Sequence, residues 1–130
     1  MIHHKVVTVV YGQVLSTGFP VALIRGSLDS LSTLTESNDT YGLLTPSPTL
    51  ITINRANHYG ICSQNNPLGA TPDPTTDPTK PLLDQSVAIS RIAQWASLWF
   101  RAQLKGDSMA KFHIYQLIRT DDDDVQIQTN

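Results

Sequence analysis

The sequence contains a single cysteine, no cluster of basic residues and no long apolar run. Cys62 cannot form an intrachain disulfide or a thiolate metal cluster, so we expect a free thiol. The nine Lys and Arg residues are scattered and the formal net charge is -2, which argues against a nucleic-acid partner. A membrane helix needs roughly 20 apolar residues, and no stretch approaches that length. We therefore expect a soluble chain without a membrane span.

The start of the chain shows no recognisable targeting signal. The apolar run Val6–Val10 that follows Lys5 is too short for a signal peptide, but a natural N-terminus lying further upstream would remove that argument. The compartment therefore stays open. With 130 residues, of which 40% are hydrophobic, the chain is long enough for one modest domain with a single core.

Three β-favouring runs are separated by loops. Val6–Tyr11 predicts a strand or extended segment. Phe19–Ile24 is continuously apolar, which is typical of a strand covered on both faces in a parallel sheet, with Pro20 near its first residue. Thr49–Asn54 predicts a second short strand of this kind.

The helices differ in the quality of their patterns. Residues 31–44 form only a poor amphipathic helix, whereas Asp84 begins the best helix, over 84–105, and Gly106 follows its end. A short amphipathic segment follows over 109–118, and 119–130 is predicted to be an acidic polar tail. The aromatic residues at helical spacing in the best helix are expected in the core, and they are Trp95, Trp99 and Phe100.

Residues 62–83 form a proline-rich segment that cannot sustain a helix or a sheet ladder. A long loop inside a domain is often a lid or a site wall, and a solvated linker is equally compatible with this composition. Strand, helix, strand, loop and helix in this order predict an α/β fold with a parallel sheet. Two or three strands leave an apolar edge open near 19–24 or 6–10, which favours self-association or association with another chain.

An acid and a histidine follow consecutive predicted strands. Asp29 lies just past the first apolar run and His58 lies four residues past the second. Both loops open on the same edge of a parallel sheet, and adjacent strands lie about 4.8 Å apart, so the side chains can reach hydrogen-bond distance. A carboxylate that orients an imidazole general base is the arrangement of Ser-His-Asp catalysis. The alternatives are that Asp29 caps the next helix and that His58 is an ordinary loop residue.

A nucleophile for this pair is missing. No Gly-x-Ser-x-Gly turn or near variant occurs in the sequence. Ser27, Ser30 and Ser63 flank the pair but do not stand in a strand-to-helix turn. Cys62, four residues after His58, is the best substitute nucleophile, but it has no cationic or helix N-terminal setting that would activate a thiol. Acid and base alone lack the groups that bond to and stabilise a reacting carbonyl.

Over residues 19–116 the chain resembles α/β-hydrolases, in particular the branch of chlorophyllase-like, dienelactone-hydrolase-like and platelet-activating-factor-acetylhydrolase-like esterases. Residues 20–29 look like the strand and acid loop of that family, 49–61 like its last core strand and histidine loop, and 83–104 like its C-terminal helix. The resemblance implies a three-layer α/β-hydrolase fold, with Asp29 as the triad acid and His58 as the triad base. It also implies hydrolysis of a small carboxylic ester without a cofactor.

The chain departs from that family at three places. Nothing before residue 19 corresponds to the family's first half, which carries the nucleophile elbow and the oxyanion-hole loop. Arg55 stands where glycine is expected, and the four aspartates after Thr120 are unlike the family's usual end. We therefore expect a single partial domain over 1–130, the C-terminal portion of an esterase, with no ester turnover by itself. The alternatives are a non-catalytic assembly module that pairs with a chain supplying the missing half, and a truncated product.

The remaining histidines and aspartates do not predict a metal site. His3, His4 and His113 are scattered, and none pairs with a second ligand at helical spacing. The run Asp121–Asp124 lacks the glycine and the distal glutamate of a calcium loop. We expect neither a metal nor a cofactor.

Overall fold

The computed structural model describes residues 15–16, 18–74, 79–116 and 124–129. The predicted strand Val6–Tyr11 lies outside these residues. Three helices and five strands occur in the described chain, and they are β1 (Leu15–Ser16), β2 (Ala22–Gly26), α1 (Leu34–Leu43), β3 (Leu44–Thr45), β4 (Thr49–Ile53), α2 (Gln85–Leu104), α3 (Ser108–Tyr115) and β5 (Val125–Thr129).

The main sheet has the strand order β2-β4-β5 and is mixed. β2 and β4 run parallel, with a register from Ala22 opposite Thr49 to Gly26 opposite Ile53. β5 runs antiparallel on the other side of β4, so the prediction of parallel strands holds for only one of the two pairs. β1 and β3 form a separate two-stranded parallel sheet. The chain is thus an α/β-type arrangement whose two parallel strands end at the same edge.

The prediction of an acidic polar tail over 119–130 is wrong for 125–129, which form β5. The segment alternates apolar and polar residues, and Val125 and Ile127 pack on the main core while Gln126 and Gln128 are exposed. Asp124, at its start, pairs with Arg55 and Arg91 at 3.5 and 3.6 Å. The alternation of apolar and polar residues over 125–129 therefore predicts the structure of this segment better than its polar composition does.

The predicted strand at Phe19 begins three residues later than expected, at Ala22. Phe19 is 54% exposed, and Pro20 has no backbone N–H to give to a ladder. β4 agrees with its predicted range to within one residue. The first strand is therefore short, and its carboxyl end at Gly26 leads directly into the acid loop.

Helix α2 packs on one face of the main sheet. Asp84 is its N-cap and accepts from the backbone N–H of Ser86 at 2.9 Å, and Gly106 follows its end with φ +62°, as predicted. Trp95 and Trp99 are buried, but Phe100 is 54% exposed, so its predicted core position is wrong. Phe100 lies next to Trp99 in sequence and is carried round the helix, away from the sheet.

The core lies between this face of the sheet and helices α2 and α3. Trp99 donates from Nε1 to the hydroxyl of Thr49 at 3.2 Å, which fixes α2 on β4. The described helices include none that is long and apolar enough to cross a membrane. The buried core cluster consists of Ile51, Ile53, Ala56, Ala88, Trp95, Trp99, Ala102, Ala110, Ile114 and Val125.

Candidate active site

The loops that follow β2 and β4 are joined by backbone hydrogen bonds. Ser27 donates from its N–H to the carbonyl of Ile53 at 2.9 Å, and Leu28 donates to the carbonyl of Ala56 at 2.9 Å. The hydroxyl oxygen of Ser27 accepts from the N–H of Arg55 at 2.8 Å. These bonds extend the parallel ladder beyond the strand ends, so the two loops leave the sheet side by side. Ser27, considered above as a nucleophile, thus holds the histidine loop.

Gly26 allows this close approach. A Cβ atom at this position would collide with the carbonyl of Ala56 and lie 2.9 Å from the carbonyl oxygen of Asn57. Only a residue without a side chain fits at the end of β2, against the backbone of the histidine loop. The loops can therefore lie close enough for short side chains to meet.

Asp29 and His58 meet at the ends of these loops. Nδ1 of His58 lies 3.1 Å from Oδ2 and 3.2 Å from Oδ1 of Asp29. The Asp29 side chain is 8% exposed, whereas the His58 side chain is 43% exposed. The acid is therefore enclosed, and the imidazole is the more accessible of the two side chains.

Asp29 is oriented by its own loop and does not cap α1. Its Oδ1 accepts from the backbone N–H groups of Leu31 at 3.0 Å and Ser32 at 2.8 Å. The N-cap of α1 is Thr33, which forms a capping box with Glu36. The alternative that Asp29 is a helix cap is therefore wrong, because another residue performs that role.

This geometry defines the proton arrangement of the neutral imidazole. With Nδ1 donating to a carboxylate, the proton of the neutral ring lies on Nδ1 and Nε2 is an acceptor. A carboxylate in this position also stabilises the imidazolium that forms when Nε2 takes a proton. The pair is thus arranged to act as a general base through Nε2.

A buried guanidinium accompanies the pair. Arg25, in β2, is 7% exposed, and its Nε has no hydrogen-bond partner in the described structure. Burial lowers the pKa of Arg25 below its usual value, and the nearby Asp29 carboxylate partly opposes this effect. Arg25 therefore adds a positive charge beside the acid without bonding to it.

A second carboxylate, Asp73, was not predicted from the sequence. Asp73 is 2% exposed. Its Oδ2 accepts from the backbone N–H of His58 at 2.7 Å, and its Oδ1 accepts from the N–H of Ser30 at 3.2 Å and from the Ser30 hydroxyl. Asp73 lies between two prolines in the proline-rich segment, where no periodicity indicates which residue turns inward. The only feature of the sequence that could have singled out Asp73 is its position between Pro72 and Pro74, because prolines restrict the local backbone.

The described part of the proline-rich segment packs against the histidine loop. Asn57 donates from Nδ2 to Oδ1 of Asn65 at 2.7 Å, and the Tyr59 hydroxyl donates to the carbonyl of Thr71. Residues 75–78 lie outside the described residues. These contacts show a segment packed on the histidine loop rather than a solvated linker, although none of its described residues lines the cleft in front of the pair.

An open cleft of about 480 Å³ lies in front of the pair and is lined by Asp29 and His58. Its apolar wall includes Leu23 and Ile24 of β2 and Ile92 of α2. Two hydroxyls in it already donate to the backbone within α1, that of Ser37 to Thr33 and that of Thr40 to Glu36. In the described part of the chain, no serine, threonine or cysteine side chain is hydrogen-bonded to His58.

Cys62 and His113, both among the described residues, do not line this cleft. Cys62 is partly buried, and its backbone carbonyl accepts from Nε2 of Gln85 at 2.8 Å. His113 lies in the last turn of α3, and His3 and His4 lie outside the described residues. No group of three or more His, Cys, Asp and Glu side chains in the described ranges could hold a metal ion.

Comparisons with known proteins add no relative. No protein-family model, no curated protein and no solved structure matches the chain.

Proposed function

We propose that this chain carries the acid and the base of a carboxylic-ester hydrolase of the α/β-hydrolase type. The observation that supports this most strongly is the Asp29–His58 pair, joined at 3.1 Å at the adjoining ends of two parallel strands. Acid before histidine in chain order, and both on loops at the carboxyl edge of a sheet, agree with that family's arrangement.

In the proposed reaction, Nε2 of His58 takes the proton of a serine hydroxyl as its oxygen attacks the ester carbonyl. Asp29 holds the imidazole in the required tautomer and stabilises the imidazolium. His58 then gives the proton to the leaving alkoxide, an acyl-enzyme remains, and a water activated in the same way releases the acid. The serine and the oxyanion donors come from outside this 130-residue sequence, so the chain alone is inactive.

The cleft supports a small ester as the substrate class. Its volume of about 480 Å³ lies within the range of roughly 300 to 1,000 Å³ typical of small-molecule sites. Leu23, Ile24 and Ile92 give it an apolar wall, which suits an acyl or alkyl group. The acyl and alcohol specificities depend on loops that the segment supplying the serine would contribute.

The first test is an activity assay of the purified 130-residue chain with p-nitrophenyl butyrate. We expect no turnover above that of the His58→Ala chain, because no serine, threonine or cysteine side chain among the described residues is hydrogen-bonded to the imidazole. Turnover that His58→Ala abolishes would contradict the assignment of the nucleophile to another segment. It would direct attention to Cys62 or to a serine of this chain.

The second test reads the DNA immediately upstream of the codon for Met1, in all three frames. We expect a Gly-x-Ser-x-Gly motif between strand-like and helix-like sequence. Joined in frame to this chain, the encoded segment is expected to restore ester hydrolysis. His58→Ala should lower the kcat of that product by a factor of about 10⁴ or more.

The matched control is His113→Gln, which changes a histidine on α3 that does not line the cleft and should leave kcat unchanged. Asp29→Asn is expected to lower kcat by a factor of about 10⁴, because it favours the wrong imidazole tautomer. Absence of the motif in every frame, or activity that survives His58→Ala, would refute the proposal.

A second candidate function, a non-catalytic assembly module, is favoured by the edge of β2. In the described sheet β2 pairs only with β4, and Arg25 on this strand is buried without a hydrogen-bond partner at Nε. A strand from another chain could pair with this edge and supply an acceptor for Arg25. Size-exclusion chromatography with light scattering tests this. A heteromer or self-associated species is expected, and a well-behaved folded monomer would count against it.

A further inference from the structure

Asp73 makes its carboxylate contacts with the two loops that carry the acid and the base. One oxygen accepts from the N–H of His58 at 2.7 Å. The other accepts from the N–H of Ser30 at 3.2 Å and from its hydroxyl, and Ser30 directly follows Asp29. One buried side chain therefore spans the gap between the acid loop and the histidine loop, at the point where Asp29 and His58 must meet.

These bonds are stronger than ordinary loop contacts. Asp73 is 2% exposed, and a buried carboxylate persists only where its oxygens accept hydrogen bonds. The donors at Asp73 are two backbone N–H groups and a hydroxyl, and hydrogen bonds to an ionised acceptor are roughly twice as strong as neutral ones. Separating the loops would leave this buried charge unsatisfied, so the carboxylate holds their spacing.

The proline-rich segment has anchors other than the Asp73 carboxylate. That segment is also held by Asn57 bonded to Asn65 at 2.7 Å and by the Tyr59 hydroxyl bonded to the carbonyl of Thr71. The N–H of Asp73 itself donates to Oδ1 of Asn66 at 2.7 Å. The backbone of the segment is thus anchored by other groups, whereas the Asp73 carboxylate accepts hydrogen bonds from the acid loop and the histidine loop.

We propose that Asp73 is a positioning residue for the Asp29–His58 pair, holding the backbone of His58 so that Nδ1 faces Asp29 and Nε2 faces the cleft. This role rests on the proposed function of the pair. It extends that function to a residue that touches neither the substrate nor the reacting atoms. Without the Asp73 carboxylate, the histidine loop can move relative to Asp29 and the Nδ1–H tautomer loses its preference.

The test is ¹⁵N NMR of the full 130-residue chain with ¹⁵N-labelled histidine. The spectra are recorded at a pH about two units above the ordinary pKa of a histidine side chain, which is about 6.5. The signal of His58 is assigned by its loss in His58→Gln. We expect the Nδ1–H tautomer to dominate in the unchanged chain. Asp73→Asn should lower the ratio of the Nδ1–H to the Nε2–H tautomer about fivefold, the change expected for loss of one hydrogen bond.

The control is Tyr59→Phe, which removes an anchor of the same segment without touching the carboxylate and should leave the tautomer ratio unchanged. Ser30→Ala, which removes one donor, should shift the ratio in the same direction as Asp73→Asn but less, and it decides the matter if Asp73→Asn does not fold. An unchanged tautomer ratio in a folded Asp73→Asn chain would refute the positioning role and show that Asp73 only anchors its loop. An unchanged tautomer ratio in Ser30→Ala would lead to the same conclusion.

This readout needs no turnover, so it separates the two proposals. A shifted ratio in a chain that remains inactive after its upstream segment is restored would refute the proposed hydrolase and retain the positioning role. Full activity of the restored product, together with an unchanged tautomer ratio in Asp73→Asn, would support the proposed hydrolase and refute the positioning role of Asp73.

Discussion

Gly26 and Arg55 are the residues whose backbone conformations decide how the acid and histidine loops meet. Gly26 lies against the carbonyls of the histidine loop, and Arg55 has φ +61°, a region that disfavours side chains with a Cβ. That conformation gives a physical reason for the glycine expected at position 55. Arg55 keeps an ion pair with Asp124 at 3.5 Å, which offsets part of this cost.

Gly26→Ala should lower the free energy of unfolding by about 3 kcal/mol, because the new methyl group collides with backbone that cannot move without separating the loops. The measurement is urea denaturation followed by tryptophan fluorescence. Gly42→Ala is the matched control. Gly42 lies in α1 with no atom within 4 Å of an added Cβ, so the free energy of unfolding should rise by about 0.5 to 1 kcal/mol. Equal stability of the Gly26→Ala and unchanged chains would show that the close approach is not required.

The sequence was sufficient to place Asp29 and His58, because each follows a strand whose apolar run is unmistakable and parallel strands end at one edge. It was not sufficient for Asp73. The inward position of Asp73 depends on hydrogen bonds to Ser30, which is 43 residues distant, and to His58, 15 residues distant. Bonds of this kind leave no periodic pattern in the sequence.

At the scale of elements, the helices begin with strong capping interactions. Thr33 and Glu36 form a capping box at α1, Asp84 caps α2, and Asp107 caps α3 while accepting from Met109 and Ala110. The cap at Asp84 was predictable from local sequence. β5 was missed because four aspartates before it suggested a solvated tail, whereas the alternation from Val125 to Thr129 decided its structure.

The caps predict how stability depends on pH. The bond from the Ser86 hydroxyl lowers the pKa of Asp84 below its ordinary value of 3.8, and the bond from the Ala110 N–H does the same for Asp107. A lowered folded-state pKa gives stability that is present above the unfolded value and lost as the pH falls through the folded value. The chain should therefore lose helix stability below about pH 4.

Asp84→Asn combined with Asp107→Asn tests this dependence. Asparagine still caps a helix but does not titrate, so the free energy of unfolding should fall less between neutral pH and about pH 3 than in the unchanged chain. Urea denaturation by circular dichroism, at low salt, measures the difference. Asp39→Asn, at an exposed position of α1 that is not a helix cap, is the control for removal of a carboxylate and should keep the original slope. An equally steep loss in the double variant would contradict the role of the caps.

At the scale of the whole molecule, the main sheet has three strands, and helices pack on one of its faces. Among the described residues, no strand pairs with the outer edge of β2. The sequence indicated this shortage of strands directly from the number of apolar runs. It could not indicate that Arg25 would be enclosed, because the burial of a strand residue depends on what packs over its face.

Arg25→Met should raise the free energy of unfolding of the isolated chain by about 1 kcal/mol. Arg25 is 7% exposed with Nε unbonded, and replacing a buried charge by an apolar side chain of similar size is often stabilising. Thermal and urea denaturation measure the change. Lys111→Met, on an exposed position of α3, should change stability by less than about 0.5 kcal/mol. A destabilised Arg25→Met chain would show that the guanidinium is already well accommodated.

The acid, the base and the carboxylate that joins their loops all lie between Gly26 and Asp73, within one continuous stretch of the sequence. Recombination with a break outside that stretch would transfer the Asp29–His58 pair intact to a new upstream sequence. A break inside it would separate groups whose spacing depends on one another. The stretch from Ala22, where β2 begins, to Asp73 is therefore the shortest segment that contains the Asp29–His58 pair together with both parallel strands and the carboxylate that joins the two loops.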